Sequence, residues 1–257
     1  MKLCNKIIQI LDKGLTVLLT LCFLPILLYG IYVLWDSGQI SRQADASVYE
    51  TYRPSPEQEQ LSFSELQKKN PEVFSWLTVA DTHIDYPLVQ ADNNSKYVNT
   101  DIMGEFSLSG SIFLDCRNKK DFSDLNHILY GHHMAENAMF GELENFSDPS
   151  YFNAHPEGEL YIKDTWYKVE FFAFLHADAY DTVLYDPTLQ SPSDTSSYLD
   201  YIKKNALCFR ELPFNEEEHF LTLSTCTSSS TNGRHLLIGR ITEDIAAKKG
   251  VPKHETE

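Results

Sequence analysis

The chain has 257 residues, 42% of them hydrophobic, and a formal net charge of −16 at neutral pH. Residues 1–35 hold three Lys and one acid, so the remainder carries 18 basic against 36 acidic residues, or −18. Binding to phosphate backbones needs a basic stripe and the sequence has none, which excludes nucleic acid as a partner class. An acidic exterior is a solubility device.

The amino-terminal segment reads as a membrane anchor. Leu15 to Trp35 is a run of 21 residues without a charge, enough at about 1.5 Å per residue to cross a hydrocarbon core of roughly 30 Å. Pro25 and Gly30 are tolerated in spanning helices, and Tyr29, Tyr32 and Trp35 suit an aromatic belt at the outer end. Lys2, Lys6 and Lys13 precede the span and Asp36 follows it. The positive-inside rule therefore puts residues 1–14 in the cytoplasm and everything after residue 36 outside. A cleaved signal peptide needs an apolar region of roughly 7 to 15 residues with a small-residue site close behind. Here the first such site, Ala44-Asp45-Ala46, lies well beyond a longer run, so a retained anchor over 15–35 is expected.

Residues 36–60 are polar and broken by Pro54 and Pro56, the pattern of a stalk. One domain is expected over 61–243, long enough to bury a full core, followed by a polar tail over 244–257. Ser62-Phe63-Ser64-Glu65 is a capping-box start for a short helix to about Lys69, and Asn70-Pro71 predicts another carrying Val73, Phe74, Trp76 and Leu77. Strand signals dominate after that. Ile84 to Gln90 is extended, with Pro87 arguing for an edge or bulge; Ser111 to Asp115 and Asn126 to Tyr130 follow. Glu159 to Ile162 and Tyr167 to Phe174 flank a short turn and predict a hairpin. Met139 to Leu143 predicts one or two helical turns, 177–195 a long loop of the length that often serves function, and Ser196 to Leu207 a helix. Leu221 to Cys226 and Leu236 to Gly239 complete a mainly β domain with short helices and no internal repeat.

Cys4 falls in the cytoplasm and Cys22 in the bilayer, which leaves Cys116, Cys208 and Cys226 outside. Three widely spaced cysteines are not a disulfide framework; at most one bridge, Cys116 to Cys208, is open to them. There is no C-x-x-C pair, and His127, His132 and His133 lack the carboxylate or Cys partners of a metal set, so neither a metal nor another cofactor is expected.

Alone, Cys226 reads as a buried thiol, His132 as a loop imidazole and Arg234 as a surface charge. Their positions change the reading. Cys226 ends an apolar strand and is followed by the polar loop Thr227 to Gly233, and Arg234 opens the next apolar run, so thiol and guanidinium fall side by side at the ends of neighbouring strands. Tyr130-Gly131-His132-His133 ends another strand and offers two candidate imidazoles; His132 follows Gly131, where the backbone is free to turn and aim it off the strand end. A partly exposed thiol beside a cation has a lowered pKa, and Cys, His and Arg are the parts of a thiol acyl-transfer enzyme. A guanidinium facing a tetrahedral oxyanion is worth on the order of 3 to 4 kcal/mol of barrier.

Thr222-Leu223-Ser224-Thr225-Cys226 resembles the T-L-x-T-C signature of sortases, the membrane-anchored cysteine transpeptidases of Gram-positive bacteria. Ile84 to Gln90, Gly110 to Asp115 with Arg117-Asn118, Tyr130 to His133 with Met139-Phe140-Gly141, and the Arg234 strand are similar to sortase segments in the same order, most like class B. The resemblance implies an eight-stranded sortase-type β-barrel with short peripheral helices, N-terminal helices and one helix before the Cys strand. Neither a lid motif of Asp-Pro plus an aromatic residue nor a second apolar span, as in class C, is visible. By position, it implies Cys226 as nucleophile, His132 as acid/base and Arg234 as oxyanion or substrate clamp, with Tyr130, Ser224, Thr225, Asn94 and Val98 lining the groove for a sorting peptide. Val98 stands where Leu is expected, and Thr227 where some relatives have an acid. The implied reaction is attack on the Thr carbonyl of a C-terminal sorting motif, followed by transfer of the acyl group to an amine of a cell-wall precursor or a pilin Lys. An exported cysteine hydrolase and an inactive peptide-binding module are the alternatives; they differ in whether water, an amine or nothing takes the acyl group.

Overall fold

The apolar runs after residue 70 become strands of one closed sheet in the computed structural model, which describes residues 2–55, 61–189, 192–215, 218–227 and 230–244. They are β1 (Val73–Val79), β2 (Asp85–Val89), β3 (Ile112–Leu114), β4 (Asn126–Tyr130), β5 (Glu157–Ile162), β6 (Thr165–Asp178), β7 (Cys208–Phe209), β8 (Phe220–Cys226) and β9 (Gly233–Asp244). Hydrogen bonding runs in the order β5-β1-β2-β3-β4-β8-β9-β6, and β5 also pairs with β6. That last pairing closes eight strands into the expected barrel and leaves no open edge around the ring. β7 adds a ninth strand outside it, against Ala173 and Phe174 of β6. Most pairs are antiparallel, but β2–β3 and β4–β8 are parallel.

Alternation along the strands divides the apolar side chains between two clusters. Leu221 and Leu223 of β8 and Leu237 of β9 join Trp76, Leu77, Leu88 and Phe171 in the larger one. Phe220, Leu236 and Ile238 turn the other way, with Phe172, and are covered by Tyr198 and Ile202 of helix α4 (Pro192–Asn205). Each such fully buried side chain contributes about 1.5–3 kcal/mol. Between β5 and β6, Lys163 and Asp164 have φ of 45° and 64°, the left-handed pair that a two-residue hairpin turn requires.

The chain divides into two units, Met1–Arg42 and Gln43–Glu257. In the first, helix α1 (Lys2–Ala44) contains the charge-free run and Pro25. Among the described residues it is one helix long and apolar enough to cross a membrane.

Several expectations are corrected. The helix over Asn70 to Leu77 is strand β1. Asn70 and Pro71 do make a turn, with Asn70 Oδ1 accepting from the Glu72 N–H at 3.0 Å, but the apolar run after it is short, rich in β-branched and aromatic residues, and buried between β2 and β5. Such a run is ambiguous until its neighbours are known. The stalk over 36–60 is also different: α1 continues to Ala44, and Ala46–Tyr52 form a 3-10 helix packed on the domain. Ala44 and Tyr49 are buried, and Tyr86 Oη donates to the Ala44 carbonyl at 2.8 Å. Residues 56–60 and the 245–257 part of the tail lie outside the described residues. Helix α2 (Leu61–Lys69) starts one residue before the expected cap, and α4 starts at Pro192 rather than Ser196, which shortens the long loop, as does the extension of β6 to Asp178. Pro87 sits in the half of β2 that β3 does not reach, so its missing N–H is spared, and β1 carries an irregularity between Val73 and Ser75. Met139 to Leu143 leads into a 3-10 helix, Gly141–Ser147, followed by α3 (Pro149–Ala154).

Tyr86 is buried and its hydroxyl also accepts from the Met139 N–H at 2.9 Å. Tyr86→Phe leaves that amide and the Ala44 carbonyl without partners, and is expected to lower the unfolding free energy by about 1–3 kcal/mol, read as a lower urea midpoint at unchanged m-value.

Candidate active site

The site is built from three neighbouring strands. β4 pairs with β8 in parallel, with Tyr130 opposite Ser224, and the Gly131 N–H donates to the Ser224 carbonyl at 3.1 Å. Two residues on from each partner stand His132 and Cys226. β8 pairs with β9 in antiparallel fashion, with Arg234 directly opposite Cys226. Strands in a sheet lie about 4.8 Å apart, so imidazole, thiol and guanidinium form one row across the rim of the barrel.

All three line a single cleft of about 740 Å³. Tyr130, Ser224, Thr225, Asn94 and Val98 line it too, so the structure brings together every site residue singled out from the sequence. Cys226 is exposed, and His132 and Arg234 are half-buried. The thiol therefore opens onto the cleft and is not sealed in the core. Thr225 differs from its neighbours: its hydroxyl is buried, on the face of β8 opposite to Ser224 and Cys226, beside His235 of β9.

His132 is held from the other wall. Its Nε2–H donates to the Val98 carbonyl at 2.8 Å; a carbonyl only accepts, so in the neutral ring Nδ1 carries the lone pair. Val98 ends a short 3-10 helix, Lys96–Val98, and it both lines the cleft and meets His132 through its carbonyl. Asn94 accepts from the Cys116 N–H at 2.7 Å, which fixes the loop before that turn. Arg234 is anchored by Nη1, which donates to the carbonyls of Gly233 at 2.8 Å and Thr231 at 3.3 Å. Ser228 and Ser229 of the intervening loop lie outside the described residues.

The other histidines are used differently. His133 faces Glu144 at 3.1 Å and does not line the cleft. His127 is buried near the opposite end of β4, with Nδ1 donating to the Phe220 carbonyl and Nε2 accepting from the Asp124 N–H. Burial pushes its pKa down to about 4, so it is a neutral structural imidazole with both nitrogens engaged. Gly131 is needed for a reason other than turning: a Cβ there would lie 2.5 Å from Ile112 Cδ1 and 2.7 Å from Phe140 Cδ2.

The sequence left unnamed the wall contributed by the loop after β6. Ala179, Tyr180, Asp181, Thr182, Tyr185 and Asp186 line the cleft. Tyr185 Oη bonds Ser224 Oγ at 2.8 Å, and its ring stacks on Tyr130 at 6.3 Å and 7°. Burial pushes the Tyr185 hydroxyl up to about 12, so it stays protonated. The two tyrosines, set in an acidic loop of the length that serves function, were the available signal.

No protein-family model matches the chain. Over 179 residues it is 32% identical to sortase B of Listeria monocytogenes, covering 69% of this chain and 72% of that protein. Over 187 residues it is 31% identical to sortase B of Staphylococcus aureus, covering 70% and 74%. A crystal structure of a Streptococcus pyogenes class B sortase involved in pilus biogenesis shares 42% identity and superposes with a TM-score of 0.65 over 72% of this chain and all of that one. The Staphylococcus aureus sortase B–substrate complex shares 28% identity at a TM-score of 0.66, covering 73% and 87%. Identity of this depth across most of the domain, on a barrel of the same build, establishes that the chain belongs to the class B sortases, a family of cysteine transpeptidases.

Proposed function

We propose that the chain cleaves a C-terminal sorting motif at its Thr carbonyl and joins the protein to an amine, with Cys226 as nucleophile, His132 as acid/base and Arg234 as oxyanion or carbonyl clamp. The observation that carries this reading is the row of three side chains across the ends of β4, β8 and β9 in one open cleft. The Cys226 thiolate attacks the carbonyl carbon, and Arg234 faces the oxygen on which negative charge develops. Collapse of that intermediate breaks the C–N bond and forms the thioester, while His132, as the imidazolium partner of the thiolate, gives its Nδ1 proton to the leaving amine and is left neutral. An incoming amine then attacks the thioester, passes a proton back to His132, and releases the thiolate as the new amide forms.

Tyr130, Ser224, Asn94 and Val98 line the peptide groove, with Thr225 contributing backbone. The acceptor is a cell-wall precursor amine or a pilin Lys. Similarity to the Streptococcus pyogenes enzyme involved in pilus biogenesis, and at 39% identity to a sortase B from a type II pilus of Streptococcus pneumoniae, supports the pilin Lys. The charge-free run of α1 and the Lys residues that precede this run within the helix support a single-pass anchor over 15–35, with residues 1–14 in the cytoplasm and the barrel outside.

Incubation of the full chain with peptides randomised around a fixed Thr and with an added amine tests this reading. Ligated product is expected; free acid alone points to a hydrolase, and binding without turnover to a peptide-binding module. Cys226→Ala is expected to abolish the thioacyl adduct seen by mass spectrometry, whereas His133→Ala keeps most activity, because that ring faces Glu144 away from the cleft.

The Val98 carbonyl that holds His132 is crowded by Gly110, which has φ +59°. A Cβ there would stand 2.5 Å from the carbonyl oxygens of Tyr97 and Val98. Gly110→Ala is therefore expected to shift the acceptor of the His132 bond and slow acylation by about tenfold to a hundredfold, measured as single-turnover cleavage, with alkylation of Cys226 by iodoacetamide still observed.

A further inference from the structure

We infer that Asp115 is a positioning residue for the sorting-peptide groove, pinning its strand floor and its loop wall together through Tyr130 and Arg117. The inference rests on the proposed function of the cleft and adds a residue that does not itself line it.

Asp115 follows β3 and is fully buried. Its Oδ1 accepts from the Arg117 N–H at 2.9 Å and from Arg117 Nε at 2.9 Å, and its Oδ2 from Arg117 Nη2 at 2.8 Å and Tyr130 Oη at 2.9 Å. One carboxylate thus holds the floor residue Tyr130 directly. The same Arg117 Nη2 also donates to the main-chain carbonyl of Tyr185 at 3.1 Å, so the carboxylate holds the wall through the guanidinium. Tyr185 is fixed on its other sides by the stack on Tyr130 and the bond to Ser224 Oγ. Asn126 of β4 donates to the carbonyls on either side of Tyr185, Leu184 at 3.1 Å and Asp186 at 3.3 Å. Barrel side chains therefore bind three successive carbonyls of an irregular segment.

A buried carboxylate is costly unless it is paired and its lone pairs are filled. Burial works to raise the Asp115 pKa, but the hydrogen bonds and charge of Arg117 and the hydrogen bond of Tyr130 outweigh it and hold the carboxyl below its ordinary range. Half of the Arg117 side chain remains exposed at the cleft. An apolar pair would fill this volume at lower cost, but it offers no planar fork to bind a carboxylate and a carbonyl together. What the ion pair supplies is a groove wall fixed before substrate arrives, which spares binding the cost of ordering a loop.

The test compares the full chain with Asp115→Asn and Arg117→Lys. Substrate is the best peptide from the pool randomised around a fixed Thr, and four quantities are read: kcat, KM, iodoacetamide alkylation of Cys226 resolved by mass spectrometry, and hydrogen exchange of the loop amides over 183–186. Loss of charge-assisted hydrogen bonds that order the wall is expected to raise KM by about tenfold or more. Both kcat and Cys226 alkylation stay within about twofold, since neither Asp115 nor Arg117 bonds a side chain of the reacting row. Loop exchange rises in both variants. A folded Asp115→Asn with unchanged KM and unchanged exchange overturns the inference, as does a matched fall in kcat and alkylation, the mark of a general scaffold defect. Where Asp115→Asn does not fold, Arg117→Lys, changed at a partly exposed side chain, decides the matter by the same criteria. Failure of the unmodified chain to cleave any pool peptide overturns the proposed function, and exchange, read without substrate, still decides whether Asp115 pins the loop.

Discussion

Parallel pairing of β4 with β8 is the constraint on which the site depends. In a parallel pair the two chains advance together, so the residues that leave the sheet leave it at the same rim. Tyr130 opposite Ser224 therefore carries His132 and Cys226 to one end of the barrel. An antiparallel pairing of the same strands would send them to opposite ends. The antiparallel step from β8 to β9 then returns the chain at once and places Arg234 opposite the thiol. Parallel neighbours need a long crossover, and here it runs through the 3-10 helix Gly141–Ser147, α3, β5, β6, α4 and β7. Contacts of such separation cost loop-closure entropy, and closure of β5 on β6 with the burial inside the ring offsets it.

This arrangement divides the site into a floor and walls. His132, Cys226 and Arg234 sit at the ends of strands whose apolar residues are locked in the core, a placement that suits groups that must be held within a fraction of an ångström. The cleft has these strand ends as its floor and connecting segments as its walls: the turn that ends at Val98 and the loop that carries Tyr185. Each is tied back to the barrel by a few polar bonds. The Val98 carbonyl meets His132, and the carbonyls around Tyr185 meet Arg117 and Asn126. These bonds hold the irregular walls in place over the row beneath.

Residues read correctly from the sequence were those whose local chemistry has one solution. The strand Leu221 to Cys226 alternates toward two apolar partners, and the hairpin before Tyr167 has a turn that two left-handed residues satisfy. Asn70-Pro71 is different. It makes the turn its chemistry favours, yet the apolar run behind it suits a helix or a strand, and only the flanking β2 and β5 decide. Ala44 and Tyr49 belong to a polar stretch with the composition of a linker, but a few well-placed contacts, including the bond from Tyr86, fasten it to the barrel.

The sequence by itself determined the class of chemistry, the strand-end positions of Cys226, His132 and Arg234, and the apolar run of α1, because each rests on residue type and spacing within a short stretch. Tertiary structure alone decided that Asp115 lies beneath the groove, that the Val98 carbonyl orients His132, and that Tyr185 forms a wall. Those contacts join residues far apart in the chain, and a closed barrel sets which of them meet through register and strand order, quantities that no local pattern encodes.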